Sequence, residues 1–233
     1  METMRWAEQN VSPKDSPPAP TIKNHSVTHF NGYLYCFGGY DGSKNHDTML
    51  LYSIAEERWI RPHHVGHPED LPGAYNPTDT SIMVTGNPPP GRNGHSATLA
   101  ADPDDEENAR IIIIGGWLGT GPLAASDMHV LDISNGGKTL RWHQPAVKGT
   151  PPGACNMHSA DYVPQRKEVY VFRGGNGREY LNDLHALSAK TLTWRKVQTV
   201  GQHPQQRANH SSALLEETGE LFIFGGWYVL ERK

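Results

Sequence analysis

The sequence predicts an all-β fold in which one unit of about four strands is repeated along the chain. Two observations predict it. Four apolar segments each end in a pair of glycines, and a His-Ser pair precedes every one of them. In addition, 24 glycines and 18 prolines in 233 residues exceed ordinary usage, while charged residues make up only 20%. This composition suits short strands joined by turns.

The first two strands of each unit form a predicted hairpin between the His-Ser pair and the glycine pair. The glycine pairs are Gly38-Gly39, Gly115-Gly116, Gly174-Gly175 and Gly225-Gly226. The His-Ser pairs are His25-Ser26, His95-Ser96, His158-Ser159 and His210-Ser211. The first glycine follows the histidine by 13, 20, 16 and 15 residues, which is enough for two strands and a turn.

Two further strands follow the glycines in three of the units. The third strand is predicted in "DTMLLYSI" from Asp47, "DMHVLDIS" from Asp127 and "DLHALSA" from Asp183. A tryptophan marks the fourth strand, 20, 26 and 19 residues beyond the second glycine. These tryptophans are Trp59, Trp142 and Trp194. Each complete unit therefore has four strands and covers about 50 residues.

A period of this length with four strands per unit is typical of kelch repeats, which form β-propellers. Nearly the whole chain resembles the kelch-repeat family, and the nearest subgroup is that of kelch-only, host-cell-factor and Rab-effector-like proteins. We interpret the glycines as packing devices at the ends of second strands, where a neighbouring blade leaves no space for a Cβ. We interpret the tryptophans, Trp6 included, as covering the gap to the next blade.

The repeats predict a partial propeller within one domain, residues 1–233. The units are residues 25–60, 95–143, 158–197 and 210–227, and residues 61–91 form an insertion with one short strand at 81–85. Trp6 belongs to an opening outer strand, and the last unit has only its first two strands. We therefore expect three complete blades, an N-terminal outer strand and a C-terminal half-blade, with a small closed ring as the alternative. Unsealed edge strands predict self-association.

A protein partner is predicted on the side where the loops that lead into first strands meet the loops between second and third strands. The candidate partner-binding residues are Tyr40, Arg92, Trp117, Asn176, Arg178, Tyr180 and Arg207. Exposed aromatic residues and arginines are enriched at protein interfaces. The kelch resemblance implies that this side binds partner peptides, often through arginines at the positions of Arg92 and Arg207. The alternative is that both arginines cap loops and bridge blades.

Composition argues against several other classes of protein. A formal charge of −4 and a pI near 6.3 offer no basic surface for nucleic acid. The longest apolar runs are far shorter than a membrane span, and no secretory leader is recognisable. We expect a cytoplasmic or nuclear protein. Its two cysteines, Cys36 and Cys155, are expected to be reduced thiols.

The alternative function is a metal-dependent enzyme of the galactose-oxidase-like or specifier-protein kelch type. Cys36 falls within a strand rather than in a loop. The loop histidines His63, His64 and His67 lack cysteine or carboxylate partners at ligand spacing. We therefore expect no metal, no cofactor and no catalytic residue, and predict an interaction scaffold or adaptor.

Overall fold

A computed structural model describes residues 16–66, 79–102, 104–120, 123–124 and 127–228. Strands dominate these residues, and the only helical pieces among them are two 3-10 turns, Asn135–Gly137 and Pro164–Arg166. No helix in the described part of the chain is long and apolar enough to cross a membrane.

The first blade is an antiparallel sheet of four strands in sequence order. Its strands are β1 (Ser26–Phe30), β2 (Tyr33–Phe37), β3 (Met49–Ser53) and β4 (Arg58–Ile60). The hairpin between β1 and β2 turns at Asn31 and Gly32, which both have positive φ. Asparagine and glycine are the residues that tolerate this conformation best.

The second blade has six strands, two more than the four predicted for a unit. They are β5 (Pro62–His64), β6 (Asp79–Thr85), β7 (Ser96–Ala101), β8 (Ala109–Ile114), β9 (His129–Ser134) and β10 (Thr139–His143). Their order across the sheet is β5-β6-β10-β9-β8-β7. Strand β6 confirms the short strand predicted at 81–85. It pairs in parallel with β10, and β5 pairs in parallel with β6, so the insertion adds two strands to the outer edge.

The third blade has five strands. They are β11 (Lys148–Gly149), β12 (Ser159–Val163), β13 (Glu168–Phe172), β14 (Leu184–Ser188) and β15 (Thr193–Lys196). Strands β12 to β15 are the four predicted ones, and the short β11 pairs in parallel with β15 at the outer edge. The connections from the first to the second blade and from the second to the third therefore run along outer edges before they return to the inner strands.

The last unit is a half-blade. Its strands are β16 (Arg207–Ala208), β17 (Ser211–Leu215), β18 (Glu220–Phe224) and β19 (Trp227–Tyr228). Strands β17 and β18 form an antiparallel hairpin, and β16 pairs with β19. Three complete blades and a closing half-blade are thus confirmed. The predicted strand around Trp6 lies outside the described residues.

The core lies between the blades and follows the two-residue period of their strands. In β8, Ile111 and Ile113 pack against the first blade, whereas Ile112 and Ile114 pack against the third. Trp142 packs on Phe37 of the first blade, with ring centroids 5.2 Å apart. Trp142 therefore covers the gap to the preceding blade, not to the next one as predicted.

A repeated hydrogen bond connects each blade to the next through the His-Ser pairs. The Oγ of Ser26 lies 2.8 Å from Nε2 of His95, and the same atoms of Ser96 and His158 are also 2.8 Å apart. Ser159 and His210 continue the series at 3.0 Å. Burial is the main reason why the pKa values of His95 and His158 fall to about 3, so these imidazoles are neutral inside the folded protein.

A backbone series runs beside the histidines. The amide of Gly94 donates to the carbonyl oxygen of Asn24 at 2.9 Å, and the amide of Met157 donates to that of Gly94 at 2.8 Å. Asn209 donates to Met157 in the same way, also at 2.8 Å. All four residues have positive φ. Each stands immediately before the histidine of its His-Ser pair, so one unusual backbone conformation recurs in every unit.

Candidate protein-interaction face

The loops that follow the glycines lie beside the segments that lead into the first strands. Single β-bridges join Lys23 to Tyr40, Asn93 to Trp117 and Asn156 to Gly175. A hydrogen bond connects the first of these loops to the next blade: the amide of Arg92 donates to the carbonyl oxygen of His46 at 3.3 Å. We call this side the loop face; it comprises residues 22–25, 38–46, 90–95, 115–120, 153–158, 173–182, 205–210 and 225–228.

The prediction that Arg92 is an exposed binding residue is corrected by the structure, because the side chain of Arg92 is 0% exposed. Its Nε donates to the carbonyl oxygen of Pro90 at 3.1 Å, and its Nη1 donates to that of Gly115 at 2.9 Å. Its Nη2 contacts Oδ2 of Asp127, also at 2.9 Å. A fully buried guanidinium offers no surface to a partner. Arg92 instead braces the second blade, as the structural alternative proposed.

The third blade contains the same kind of brace, but its arginine comes from another position. Cys155 stands where the second blade has Arg92 and is fully buried. The guanidinium is supplied by Arg173, whose Nη1 lies 3.2 Å from Oδ2 of Asp183 and whose Nη2 donates to the carbonyl oxygen of Ala154 at 3.1 Å. Sequence reasoning missed Arg173. Two features of the sequence could have identified Arg173. A cysteine stands at the position that Arg92 occupies in the second blade, and an arginine directly precedes the glycine pair.

Arg173 also shifts the glycine pair of this blade by one residue. Phe172 pairs with Ser159, as Ile114 pairs with Ser96 in the second blade. Arg173 therefore takes the place of Gly115, and Gly175 takes the bridge position of Trp117. Neither glycine of the pair has positive φ. The predicted equivalence of Gly174 and Gly175 to the other pairs is thus corrected by the strand register.

The glycine pairs of the first and second blades have the geometry that the packing interpretation requires, whereas a Cβ on Gly225 of the half-blade would have no described atom within 4 Å. Gly38 and Gly39 have φ of +69° and +94°. A Cβ on Gly38 would lie 2.7 Å from the carbonyl oxygen of Arg92, and one on Gly39 would lie 2.9 Å from the Cβ of His25. Gly115, Gly116, Gly225 and Gly226 also have positive φ. Glycine is the residue that accepts such a backbone without strain.

Arg207 repeats two of the three bonds of Arg92 and is partly exposed. Its Nε donates to the carbonyl oxygen of Gln205 at 3.1 Å, and its Nη1 donates to that of Gly225 at 2.6 Å. Among the described residues, no carboxylate contacts its Nη2. Arg207 therefore lies on the loop face with part of its guanidinium accessible.

The remaining predicted contact residues are all at least partly exposed on the loop face. They are Tyr40, Trp117, Asn176, Arg178 and Tyr180. The ammonium of Lys23 lies 5.7 Å from the ring centre of Tyr40. Sequence reasoning did not single out Tyr228, which is 46% exposed beside Trp227 at 60%.

Side-chain caps fix the loops that carry these residues. Oδ1 of Asn176 accepts hydrogen bonds from the amides of Arg178 and Glu179, both at 2.9 Å. In the first blade, Oδ1 of Asp41 accepts bonds from the amides of Ser43 and Lys44. The amides of Lys44 and Ser43, together with His46, hold the pKa of the Asp41 carboxyl well below its ordinary range. Such turns order a loop before a partner binds.

The described residues contain no cluster suited to metal binding. Within the described ranges, no three His, Cys, Asp or Glu side chains are gathered in a way that could hold a metal ion. His64 bonds through Nε2 to the carbonyl oxygen of Gly86 at 2.7 Å, and His67 lies outside those ranges. Cys36 and Cys155 are free and buried, and burial raises the pKa of their thiols to about 11 and about 12.

Comparison with known proteins agrees with this architecture. The chain matches the KLHDC2/KLHL20/DRC7 Kelch-repeats domain over residues 104–232 and the Kelch motif over residues 22–61. Human Kelch domain-containing protein 3 is 27% identical over 89% of this chain and 49% of its own length. The Rab9 effector protein with kelch motifs of Xenopus laevis is 28% identical over 68% of this chain and 41% of its own.

A third relative is the serine/threonine-protein phosphatase BSL2 of Arabidopsis thaliana, 32% identical over 63% of this chain and 14% of its own length. The chain thus spans about half, or less, of the curated relatives named here. The match to the Kelch-repeats domain covers more than half of the chain and includes the last three strands of the second blade, the third blade and the half-blade. The chain therefore belongs to the kelch-repeat family.

Proposed function

We propose that the chain is a protein-interaction scaffold or adaptor whose loop face binds a peptide segment of a partner. One observation carries the proposal: Arg178 and Tyr180 project from a loop that Asn176 holds in a fixed turn. A fixed loop loses less conformational entropy on binding than a free one does. The name of the Xenopus laevis relative, an effector of Rab9, supports a protein as the class of partner.

The chemistry of the loop face supports a peptide that combines a carboxylate with an aromatic or apolar residue. Arg178 is exposed, and a guanidinium can bind a carboxylate through two parallel hydrogen bonds. Tyr40, Trp117 and Tyr180 supply partly exposed rings, which bury a large area at little entropic cost. The proposed role is not enzymatic.

Selection from a phage library of random peptides on the purified chain tests this proposal. Selected peptides should lose at least about tenfold in affinity for a variant with Arg178→Ala and Tyr180→Ala, as expected for interface hot spots. The matched control is Arg166→Ala, which removes another exposed cation from a 3-10 turn between two strands of the third blade. Peptides that bind the double variant as tightly as the unchanged chain would contradict the proposal.

Metal analysis of the purified chain tests the proposal that its role is not enzymatic. A stoichiometric transition metal retained through dialysis would favour the metal-dependent enzyme instead. The expected result is less than about one-tenth of an equivalent of any such metal, since tight transition-metal sites use several His, Cys or carboxylate ligands together.

A further inference from the structure

Four asparagines of the chain are followed directly by glycine, namely Asn31, Asn93, Asn135 and Asn176. An Asn-Gly pair can lose ammonia, because the amide nitrogen of glycine is unhindered by a side chain and can attack the carboxamide beside it. The product is a cyclic succinimide, which water opens to aspartate or isoaspartate. The surroundings of each pair therefore decide whether this reaction takes place in the folded protein.

Three of the four pairs are restrained by burial or by hydrogen bonds. Asn93 is only 5% exposed. In the pair Asn135-Gly136, the glycine amide donates to the carbonyl oxygen of Glu107 at 3.1 Å. The side-chain amide of Asn31 donates to the carbonyl oxygen of Gly136 in the second blade at 3.0 Å. At each of these pairs, another part of the chain holds the nucleophile or the carboxamide.

Asn176, in the loop between β13 and β14, has none of these restraints. Its side chain is partly exposed, and Gly177 is exposed. Among the described residues, no acceptor takes the amide hydrogen of Gly177. A Cβ at Gly177 would meet only the side chain of Leu123, 3.7 Å away, so this part of the loop is not crowded.

The turn at Asn176 also activates its carboxamide. Oδ1 accepts hydrogen bonds from the amides of Arg178 and Glu179, both at 2.9 Å, so the side chain curls back over the Gly177 peptide. Negative charge develops on Oδ1 when a nitrogen attacks Cγ, and the same two amides stabilise that charge, as the donors of an oxyanion hole do. Nδ2, the nitrogen that leaves, lies 3.4 Å from Oε1 of Glu179.

The first blade contains the same turn with an aspartate in place of the asparagine. Oδ1 of Asp41 accepts hydrogen bonds from the amides of Ser43 and Lys44 at 2.7 and 2.8 Å, and Gly42 follows it. The amides of Lys44 and Ser43 lower the pKa of Asp41, so it remains a carboxylate, which resists attack by nitrogen. An aspartate in place of Asn176 therefore preserves the turn. Isoaspartate does not, because its Cγ becomes part of the main chain.

We propose that Asn176 is a site of spontaneous deamidation, which releases the loop that carries Arg178 and Tyr180. The nitrogen of Gly177 forms a bond to Cγ of Asn176, and the Cγ–Nδ2 bond breaks. The amide proton passes through solvent to the departing nitrogen, which leaves as ammonia. Opening of the ring to isoaspartate lengthens the main chain and removes the cap from the loop. The effect on binding rests on the proposed function, whereas the modification itself does not.

Mass spectrometry of the ageing chain tests the modification. The purified full chain is incubated at mildly alkaline pH, either folded or unfolded in guanidinium chloride, and the replacement of each carboxamide by a carboxyl is followed. Folding should slow the reaction at Asn31, Asn93 and Asn135 by at least about tenfold, but should leave the rate at Asn176 within about threefold of its unfolded rate. A rate at Asn176 that falls as much as the others would overturn the proposal.

A methyltransferase specific for isoaspartate provides the second readout. It should label the aged, folded chain at position 176, and Asn176→Gln should abolish this label because glutamine cannot form the same ring. Amide hydrogen exchange of Arg178 and Glu179 should speed up as the label appears, since their acceptor is lost. Labelled chain in which these amides stay protected would contradict the release of the loop, whether or not any partner peptide is found.

Peptides selected on the loop face test the effect on binding. The fraction of chain that binds them should fall in proportion to the isoaspartate content, whereas Asn176→Asp should bind as tightly as the unchanged chain. Repair of the aged chain by the methyltransferase and S-adenosylmethionine, which converts isoaspartate to aspartate, should restore binding. An equal loss in Asn176→Asp would assign the effect to the new charge and overturn the role of the turn. Failure to select any peptide would count against the proposed function alone.

Discussion

Arg92 and Arg207 occupy the same position in the second blade and in the half-blade, yet their surroundings differ. Both donate Nε to the carbonyl two residues earlier and Nη1 to the first glycine of their unit. Arg92 also meets Asp127 and is completely buried, whereas Arg207 meets no carboxylate in the described chain and stays partly exposed. Within the described residues, the arginine is thus buried where it contacts the aspartate that leads a third strand, and partly exposed where no such aspartate is described.

The same contrast appears in the aromatic residues that end the second strands. Phe37 is 1% exposed because the second blade covers it, whereas Phe224, at the same place in the half-blade, is 82% exposed. Similarly, Tyr35 is 1% exposed and Phe222 is 56% exposed. The same repeat position is thus buried where a following blade is described and exposed in the half-blade.

The largest expected effect compares the two phenylalanines. Phe37→Ala should lower the free energy of unfolding by about 3–5 kcal/mol, because it leaves a cavity beside His95 and Trp142. Phe224→Ala should change it by less than about 1 kcal/mol, since the ring is mostly solvated already. Urea unfolding followed by tryptophan fluorescence measures both. Equal losses would mean that Phe224 is covered in solution.

The arginines give the next comparison. Arg92→Ala should destabilise the fold by about 3 kcal/mol, because the loss of the buried guanidinium leaves the Asp127 carboxylate without its partner. Arg207→Ala should cost less than about 1 kcal/mol, as for other partly exposed side chains. Thermal and urea unfolding of both variants provide the measurement, and a larger loss for Arg207 would reverse our assignment of brace and binding residue.

Glycine-to-alanine substitutions test whether the glycine pair of the third blade is shifted in register relative to the other pairs. Gly38→Ala should cost about 2 kcal/mol or more, since alanine is strained at positive φ and its Cβ would lie 2.7 Å from the Arg92 carbonyl oxygen. Gly175→Ala should be nearly neutral, because its φ is not positive and the nearest atom to a Cβ is 3.6 Å away. Comparable losses of stability would show that the two glycines are equivalent after all.

The last prediction concerns pH and the histidines between blades. An unfolded histidine takes up a proton near pH 6.5, whereas His95 and His158 resist protonation until about pH 3. The unfolded state therefore binds more protons in this window, and stability falls as the pH falls below about 6.5, by at most about 1.4 kcal/mol per pH unit for each histidine. Urea unfolding between pH 7.5 and 5 should show this slope, and His158→Asn should reduce it. An unchanged slope in that variant would exclude His158 as its source.

The inner strands were predictable because their ends carry distinctive residues. The His-Ser and Gly-Gly pairs bound every first and second strand, and the tryptophans mark the fourth. By contrast, β5, β6 and β11 join the outer edges through parallel pairing. The sequence predicted the strand at β6 but not its place in the sheet, and it did not predict β5 or β11, because parallel pairing needs no tight turn that would mark the partner strand.

The candidate site was harder to predict, because burial depends on contacts distant in sequence. Arg92 is buried by an aspartate 35 residues away, and no motif links the two. Arg173 was missed because the glycines were aligned by identity, whereas the pairing of Phe172 with Ser159 sets the true register. The location of Arg178 and Tyr180 on the loop face could be predicted from the order of strands and loops alone, which the repeat itself supplies.

The bonds from Gly94 to Asn24, from Met157 to Gly94 and from Asn209 to Met157 all point in the same direction. The histidine of each later blade likewise meets the serine of the blade before it. Each interface therefore presents the same donor on one side and the same acceptor on the other. A duplicated or deleted blade would find matching neighbours, so gene duplication could change the number of repeats while every junction keeps its chemistry.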